Sequence, residues 1–304
     1  MSISANPPIL VGAYAALPKD AHQQQDFYAG LLQRGVTGLE IPDHHVVGVP
    51  SNQFDSFVKT LRMGFTRSVI TAIPSTMRRQ GPNPGEGLAS VQEDKRHAAL
   101  EFIGEICVAA DRINELTGER SIAGILIHSA PTAAADPDAF KRSLNELQVS
   151  AERHSADLII EHCDAHCDQV AGEKRFLELD QEVAAARNSG MQITINWGRS
   201  VVESHDPTKP RQQIEQLAGA GLLAGIAFSG ASSSENQYGG AWADAHLPLD
   251  TDEPTSLMTA QHVKECLQAA AGTELYRAAE VQVPQEASVA RRLEIVGSVL
   301  NLFS

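Results

Sequence analysis

The chain has 304 residues, a net charge of −14, 42% hydrophobic and 20% charged residues, the balance of an ordinary globular protein in water. That acidity argues against nucleic acid as a partner, since phosphates call for a basic stripe. No apolar run approaches the ~20 residues that span a bilayer, so no membrane partner is expected, and Met1 to Pro18 lacks the basic start of a signal peptide. Four cysteines (Cys107, Cys163, Cys167, Cys266) are too few for a disulfide scaffold, which points to reduced thiols and a cytoplasmic location.

In chain order, strands and helices alternate. A first strand over 9–14 leads to a helix over 20–34, closed by Arg34-Gly35. A strand over 36–41 carries Glu40 near its tip, and a helix over 51–62 follows. The third strand, 68–73, is broken by Pro74 and followed by a glycine- and proline-rich loop through 85. A long helix over 89–117 has Ala98, Phe102, Ile106, Ala109 and Ile113 at helical spacing, with Cys107 in its core. The fourth strand, 122–127, ends at His128, and Asp136-Pro137 starts a helix to about 152. Further units read as strand 158–160 with helix 174–188, strand 191–196 with helix 209–219, strand 222–228 with helix 255–271, and strand 274–283 with helix 285–301. Eight such units predict parallel pairing and closure into one (β/α)8 TIM barrel over residues 1–304. An open doubly wound sheet is the rival, but Val11-Gly12-Ala13-Tyr14 is not its glycine-rich first turn.

The links from helix to strand are short, whereas those from strand to helix are long: about 74–88, 129–136, 162–173, 197–208 and 229–254. Loops of that length in a compact domain are functional or disordered. All lie at the C-terminal end of the strands, where barrel enzymes work. The densest stretch is 157–168, where an apolar strand runs into Glu161, His162, Cys163, Asp164, His166, Cys167 and Asp168. In the sixth strand Met191, Ile193 and Ile195 share the face expected to meet the helices, which turns Gln192, Thr194 and Asn196 inward.

The eight units, with Glu161 after an apolar strand and Glu280 on the last one, resemble the xylose isomerase-like barrels, a superfamily of sugar isomerases, epimerases, inosose dehydratases and a DNA-repair endonuclease. The resemblance implies a divalent metal (Mn, Mg, Zn or Co) held by a glutamate after strand five, an Asp-x-x-His after strand six, a histidine after strand seven and a glutamate on strand eight. It also implies the two glutamates as proton acid and base, and association into homo-oligomers. Glu161 and Glu280 match. The sixth strand reads Asn196-Trp197-Gly198-Arg199 and the seventh ends Phe228-Ser229-Gly230, so three ligands are replaced, and an arginine in that space repels a cation. The resemblance therefore implies the fold more strongly than the metal.

These residues give the following expectations. Glu161 and Glu280 are the catalytic pair on a polar carbohydrate, acidic or phosphorylated forms included; the plain alternative is two solvated or salt-bridged carboxylates. If a metal is bound, Glu161, Glu280, Asp164 and His162 are its candidate ligands; otherwise 162–168 is a polar loop. Arg199 either grips an anionic ligand or forms an ion pair with Glu161 or Glu203. His128 is a proton carrier or a hydrogen-bonded wall residue, and Glu40 and Asn196 complete the polar rim. Trp197 stacks on a sugar or roofs the barrel. Arg78 and Arg79 are expected to be a solvated pair, His44 and His45 a loop, and 232–242, with Tyr238, a lid. A barrel that binds a sugar-like anion without turnover, or a metal-free lyase or hydrolase, is the competing reading.

Overall fold

The computed structural model describes residues 7–166, 170 and 172–303. Eight strands pair in sequence order, each parallel to its neighbours, and the last returns to the first to close a barrel. They are β1 (Ile9–Val11), β2 (Gly38–Pro42), β3 (Ser68–Thr71), β4 (Ile122–Ile127), β5 (Asp157–His162), β6 (Gln192–Asn196), β7 (Leu223–Phe228) and β8 (Tyr276–Ala279). The helices are α1 (Ala21–Gln33), α2 (Ser51–Leu61), α3 (Ile73–Gln80), α4 (Glu93–Thr117), α5 (Pro137–Ala151), α6 (Leu179–Ser189), α7 (Trp197–Ser204), α8 (Lys209–Ala220), α9 (Ala260–Ala270) and α10 (Val289–Leu300). No helix among the described residues is long and apolar enough to cross a membrane.

Strand alternation sorts the side chains into two layers. Outward residues such as Ile125, Ile160, Ile193, Ile195 and Phe228 pack with Phe102, Ile106, Phe140, Ile214 and Val263 of the helices, which is the main core. Inward residues Leu10, Val69, Leu126, Ile159, Ala224 and Tyr276 fill the lumen. Tyr276 fits there because its partner in register is Gly225, where a Cβ would fall 2.4 Å from the tyrosine ring. Its hydroxyl meets Thr194 Oγ1 at 2.7 Å, so the one polar tip in this layer is satisfied.

Two helices were hidden inside expected loops. Pro74 does not merely end β3: it occupies the first turn of α3, a position where its missing N–H costs nothing. Helix α7 starts on the residue after β6, with the Asn196 side chain accepting from Arg199 N at 3.2 Å as its cap. Four helices begin four or five residues later than expected: α4, α6, α9 and α10. Residues 174–178 are non-helical, with Arg175 at positive φ and Phe176 bridged to Ala165, while Thr259 and Ser288 cap α9 and α10 through their hydroxyls. Strand β8 stops at Ala279, but Glu280 N still donates to Phe228 O at 2.9 Å, which holds Glu280 in barrel register.

Candidate active site

Above the apolar lumen lies a polar layer at the C-terminal end of the strands. Two residues past Ile159, Glu161 again points inward and is fully buried. His128 follows β4, and its Nε2 lies 2.7 Å from Glu161 Oε2. Arg199, in the first turn of α7, turns back over the barrel. Its Nη1 stands 2.6 Å from Glu161 Oε1, its Nε donates to Asp244 Oδ2 at 3.0 Å, and Cys163 Sγ lies 3.6 Å from Nη1. Glu161 Oε1 receives no aligned N–H, so its contact with Arg199 is an ion pair rather than a directed hydrogen bond. Lys174 Nζ reaches Asp244 Oδ2 at 2.8 Å.

Across the layer, Glu280 Oε2 accepts from Asn196 Nδ2 at 3.1 Å, and His246 Nδ1 stands 3.8 Å away. Gly12 makes this possible: a Cβ there would come within 2.8 Å of Glu280 Cγ. Glu40, at the β2 position facing the same space, accepts a long 3.5 Å contact from the Tyr14 hydroxyl. Glu40 Oε2 and Glu280 Oε1 meet no N–H or hydroxyl donor from any other group among the described residues.

The two sides shift their carboxyl groups in opposite directions. Burial alone would raise the Glu161 pKa, but Arg199 and His128 hold it down to about 2, so it is a carboxylate. Burial, followed by the charge of Glu280 and a hydrogen bond with it, pushes Glu40 well above the usual carboxylate range. Burial lowers His128 despite the pull of Glu161. A neutral His128 facing a carboxylate carries its proton on Nε2, which leaves Nδ1 without a partner. Burial also lifts the Cys163 thiol and keeps it neutral. Asp244, although buried, is held well below the carboxylate range by Lys174 and Arg199.

Several expected site residues lie elsewhere. His162, next to Glu161, points outward by alternation: Nδ1 meets Glu182 Oε2 at 2.7 Å and Nε2 meets Glu203 Oε2 at 3.0 Å, between the barrel and its helices. It is not a ligand at the mouth. Asp164 is turned into its own loop, where Oδ2 accepts from Lys174 N at 2.9 Å and Arg175 N at 3.1 Å. Trp197 is wholly buried in the outer core, 5.9 Å from the His262 ring of α9, and cannot stack on a sugar from there. His166 Nδ1 contacts Arg175 Nη2 at 2.8 Å; Cys167 and Asp168 lie outside the described residues. Arg78 and Arg79 are not a solvated pair. Arg78 donates to Ser75 Oγ at 2.7 Å, and Arg79 pairs with Glu86 and lies 5.0 Å above the Phe102 ring. His44 and His45 lie in a short 3-10 turn. The 232–242 loop is tied down, with Trp242 N donating to Ser232 O at 2.7 Å and Trp242 stacked 3.7 Å from His205.

Asp244, Lys174, His246, Tyr14 and Cys163 belong to the site geometry without having been assigned to it from sequence. Asp244 and His246 lie in the long 229–254 link and Cys163 in the crowded 157–168 stretch, whereas Tyr14 reads as the end of the first strand and Lys174 as the start of a helix. The layer is enclosed: Glu161, Asn196 and Glu280 have no exposed surface. A cavity of about 20 Å³, room for about one water, touches His128. A larger one, about 380 Å³, lies outside, lined by Lys19, Gln237, Tyr238 and Gln282. Its residues Ala15 and Gln282 adjoin the edge-to-face pair Tyr14–His246, whose centroids are 6.1 Å apart.

His128, Glu161 and Cys163 place donor atoms within 4.8 Å of one another, a set that could in principle hold a metal ion. The rest of the donor chemistry does not fit a divalent cation. Asn196 Oδ1 is already taken by Arg199 N and Ser229 Oγ. Arg199 touches Glu161 and Cys163, and a cation bound at the usual ~2.0–2.3 Å would meet a like charge in a buried site.

Comparison with known proteins agrees with this architecture. A family model described as Domain of unknown function (DUF4862) matches residues 10–295. "Uncharacterized protein STM3670" of Salmonella typhimurium is 32% identical over 98% of this chain and 97% of its own length. Among solved structures, a D-psicose 3-epimerase determined in the presence of D-fructose superposes with a TM-score of 0.62, 12% identity and 97% of both chains covered. A xylose isomerase domain containing protein of Salmonella typhimurium gives 0.61, 11% identity, and 100% and 99% coverage. The chain belongs to the DUF4862 family, and its fold is a xylose isomerase-like TIM barrel.

Proposed function

We propose that this protein is an isomerase- or epimerase-type enzyme that moves a proton on a polar carbohydrate between Glu161 and the Glu280–Glu40 pair. One observation carries the reading. Within a single enclosed layer, Glu161 faces Arg199 and His128, which hold its pKa down, while burial and the adjacent Glu280 push that of Glu40 up. Environments that push two carboxyl groups apart are how one site supplies both a base and an acid. Glu161 Oε1, which lacks an aligned donor, takes the proton from a carbon next to a carbonyl. The Glu280–Glu40 pair returns one from the other side. Asn196 orients Glu280, and His128 orients Glu161. The likeness in fold to a D-psicose 3-epimerase supports a small sugar as the class of substrate.

The test is exchange of substrate hydrogen with solvent deuterium over a panel of ketoses, aldoses and their acidic and phosphorylated forms. Incorporation next to the carbonyl is expected with at least one. The replacement of metal-ligand residue types by Asn196, Arg199 and Ser229 favours one other reading, a barrel that binds a sugar-like anion without turnover. Tight binding of a panel member with no deuterium incorporation would select it.

A further inference from the structure

We infer that the Arg199 guanidinium takes the place of a divalent cation in this barrel, and that its Nη2 is the donor that stabilises the substrate oxyanion. The inference deepens the proposed proton transfer and rests on it. Four observations point this way. Arg199 is 2% exposed and therefore sits inside the polar layer rather than over it. It faces Glu161 at 2.6 Å and Asp244 at 3.0 Å, so two carboxylates balance it, and Lys174 shares Asp244. It also touches two of the three side chains, Glu161 and Cys163, that form the cluster of metal-capable donors among the described residues. Its Nε and Nη1 are engaged, whereas Nη2 makes no hydrogen bond among the described residues. A buried guanidinium with a free donor is a preorganised positive site that needs no reorganisation when charge develops.

The reaction then balances without a metal. Glu161 takes the proton from the substrate carbon, and the C–H electron pair moves into the carbonyl to give an enediolate. Arg199 Nη2 donates to that oxygen. The Glu280–Glu40 pair returns a proton to carbon, the electron pair returns with it, and no oxidant or reductant is consumed.

Mn²⁺ and Zn²⁺ alone are the probes. Wild-type protein, loaded and then desalted, is expected to retain well under one equivalent, and its deuterium exchange should be unaffected by EDTA. Arg199→Gln removes the charge from a site that still holds His128, Glu161 and Cys163. It should bind one of the two metals at least about tenfold more tightly than wild type, and its lowered Tm should rise when that metal is added. Arg199→Lys, which keeps the charge, should bind no better than wild type. If Arg199→Gln does not fold, the Asn196→Asp/Arg199→His double variant carries the same test. A stoichiometric metal in the wild type, or equal metal affinity in wild type and neutral variant, overturns the inference. Absence of deuterium exchange on every sugar would overturn the proton-transfer reading and the oxyanion role with it, while the metal readout would still decide what occupies the cation's place.

Discussion

Glu161 and His162 are consecutive residues on β5, both buried, and each joins an imidazole to a carboxylate. Yet they sit on opposite faces of the barrel wall and differ in what remains unsatisfied. On the outer face His162 and both of its carboxylates are engaged, and only the amide oxygen of the neighbouring Gln213 lacks a partner among the described residues. His162 uses both nitrogens, Glu182 also accepts from Ser129 Oγ, and Glu203 also accepts from Ala165 N and Gln213 Nε2. On the inner face, Glu161 Oε1 and His128 Nδ1 have no hydrogen-bond partner among the described residues, and Glu40 Oε2 and Glu280 Oε1 meet no donor beyond a proton shared between their own carboxyls. Unsatisfied polar atoms in a buried site are costly, so a cluster of them on one side of the wall marks where a ligand completes the bonding. The outer cluster fixes the strand; the inner one has capacity left over for chemistry.

Substitutions on the two faces should therefore separate cleanly. The largest effect is expected for Glu161→Gln, which keeps the shape and removes the base. Solvent exchange should fall by about 10²–10⁴-fold, while the thermal melt still shows a cooperative fold. Next is His162→Ala on the outer face. It leaves Glu182 and Glu203 buried without their counter-charge, and breaking such a pair costs about 3–5 kcal/mol, read by urea unfolding. Trp197→Ala should cost a similar ~3–5 kcal/mol as a core truncation, without changing KM for any substrate found. A changed KM at constant stability would return Trp197 to the binding surface.

The smallest and most specific effect is in pH. Burial opposes protonation of His162, but Glu182 and Glu203 raise its pKa from 6.5 to about 10. A raised folded pKa contributes stability that is complete below about 6.5 and is lost as pH climbs toward 10. Wild-type stability should decline through that window, and His162→Gln should flatten the decline. Glu161 behaves oppositely. Its pKa is lowered from 4.5 to about 2, so its contribution is present above 4.5 and lost as pH falls toward 2.

The barrel was legible because its signals are periodic. Alternating apolar runs, helix caps and unequal loop lengths gave eight units in the right order, and the inward face of β6 followed from alternation alone. The same rule, applied one residue further, would have turned His162 and Trp197 outward, since Glu161 and Asn196 point in. Crowding of metal-capable residue types in one line of sequence outweighed that geometry. Helix α3 was missed because Pro74 reads as a strand breaker when it is also a good first-turn residue. Asp244 and Lys174 could not be found from local pattern. They come from the long loops after β7 and β5 and meet Arg199 only in three dimensions. Arg199 itself was legible as a departure from the resembled motif, but its partner in the ion pair became clear only when the side chains were placed.

The most direct measurement compares deuterium incorporation into an active ketose by wild type, Glu161→Gln and His162→Gln, at a temperature where all three are folded. The two faces of β5 should divide: exchange lost with Glu161→Gln and retained with His162→Gln. Full exchange by Glu161→Gln, or its loss only when His162 is replaced, would contradict the assignment of chemistry to the inner face.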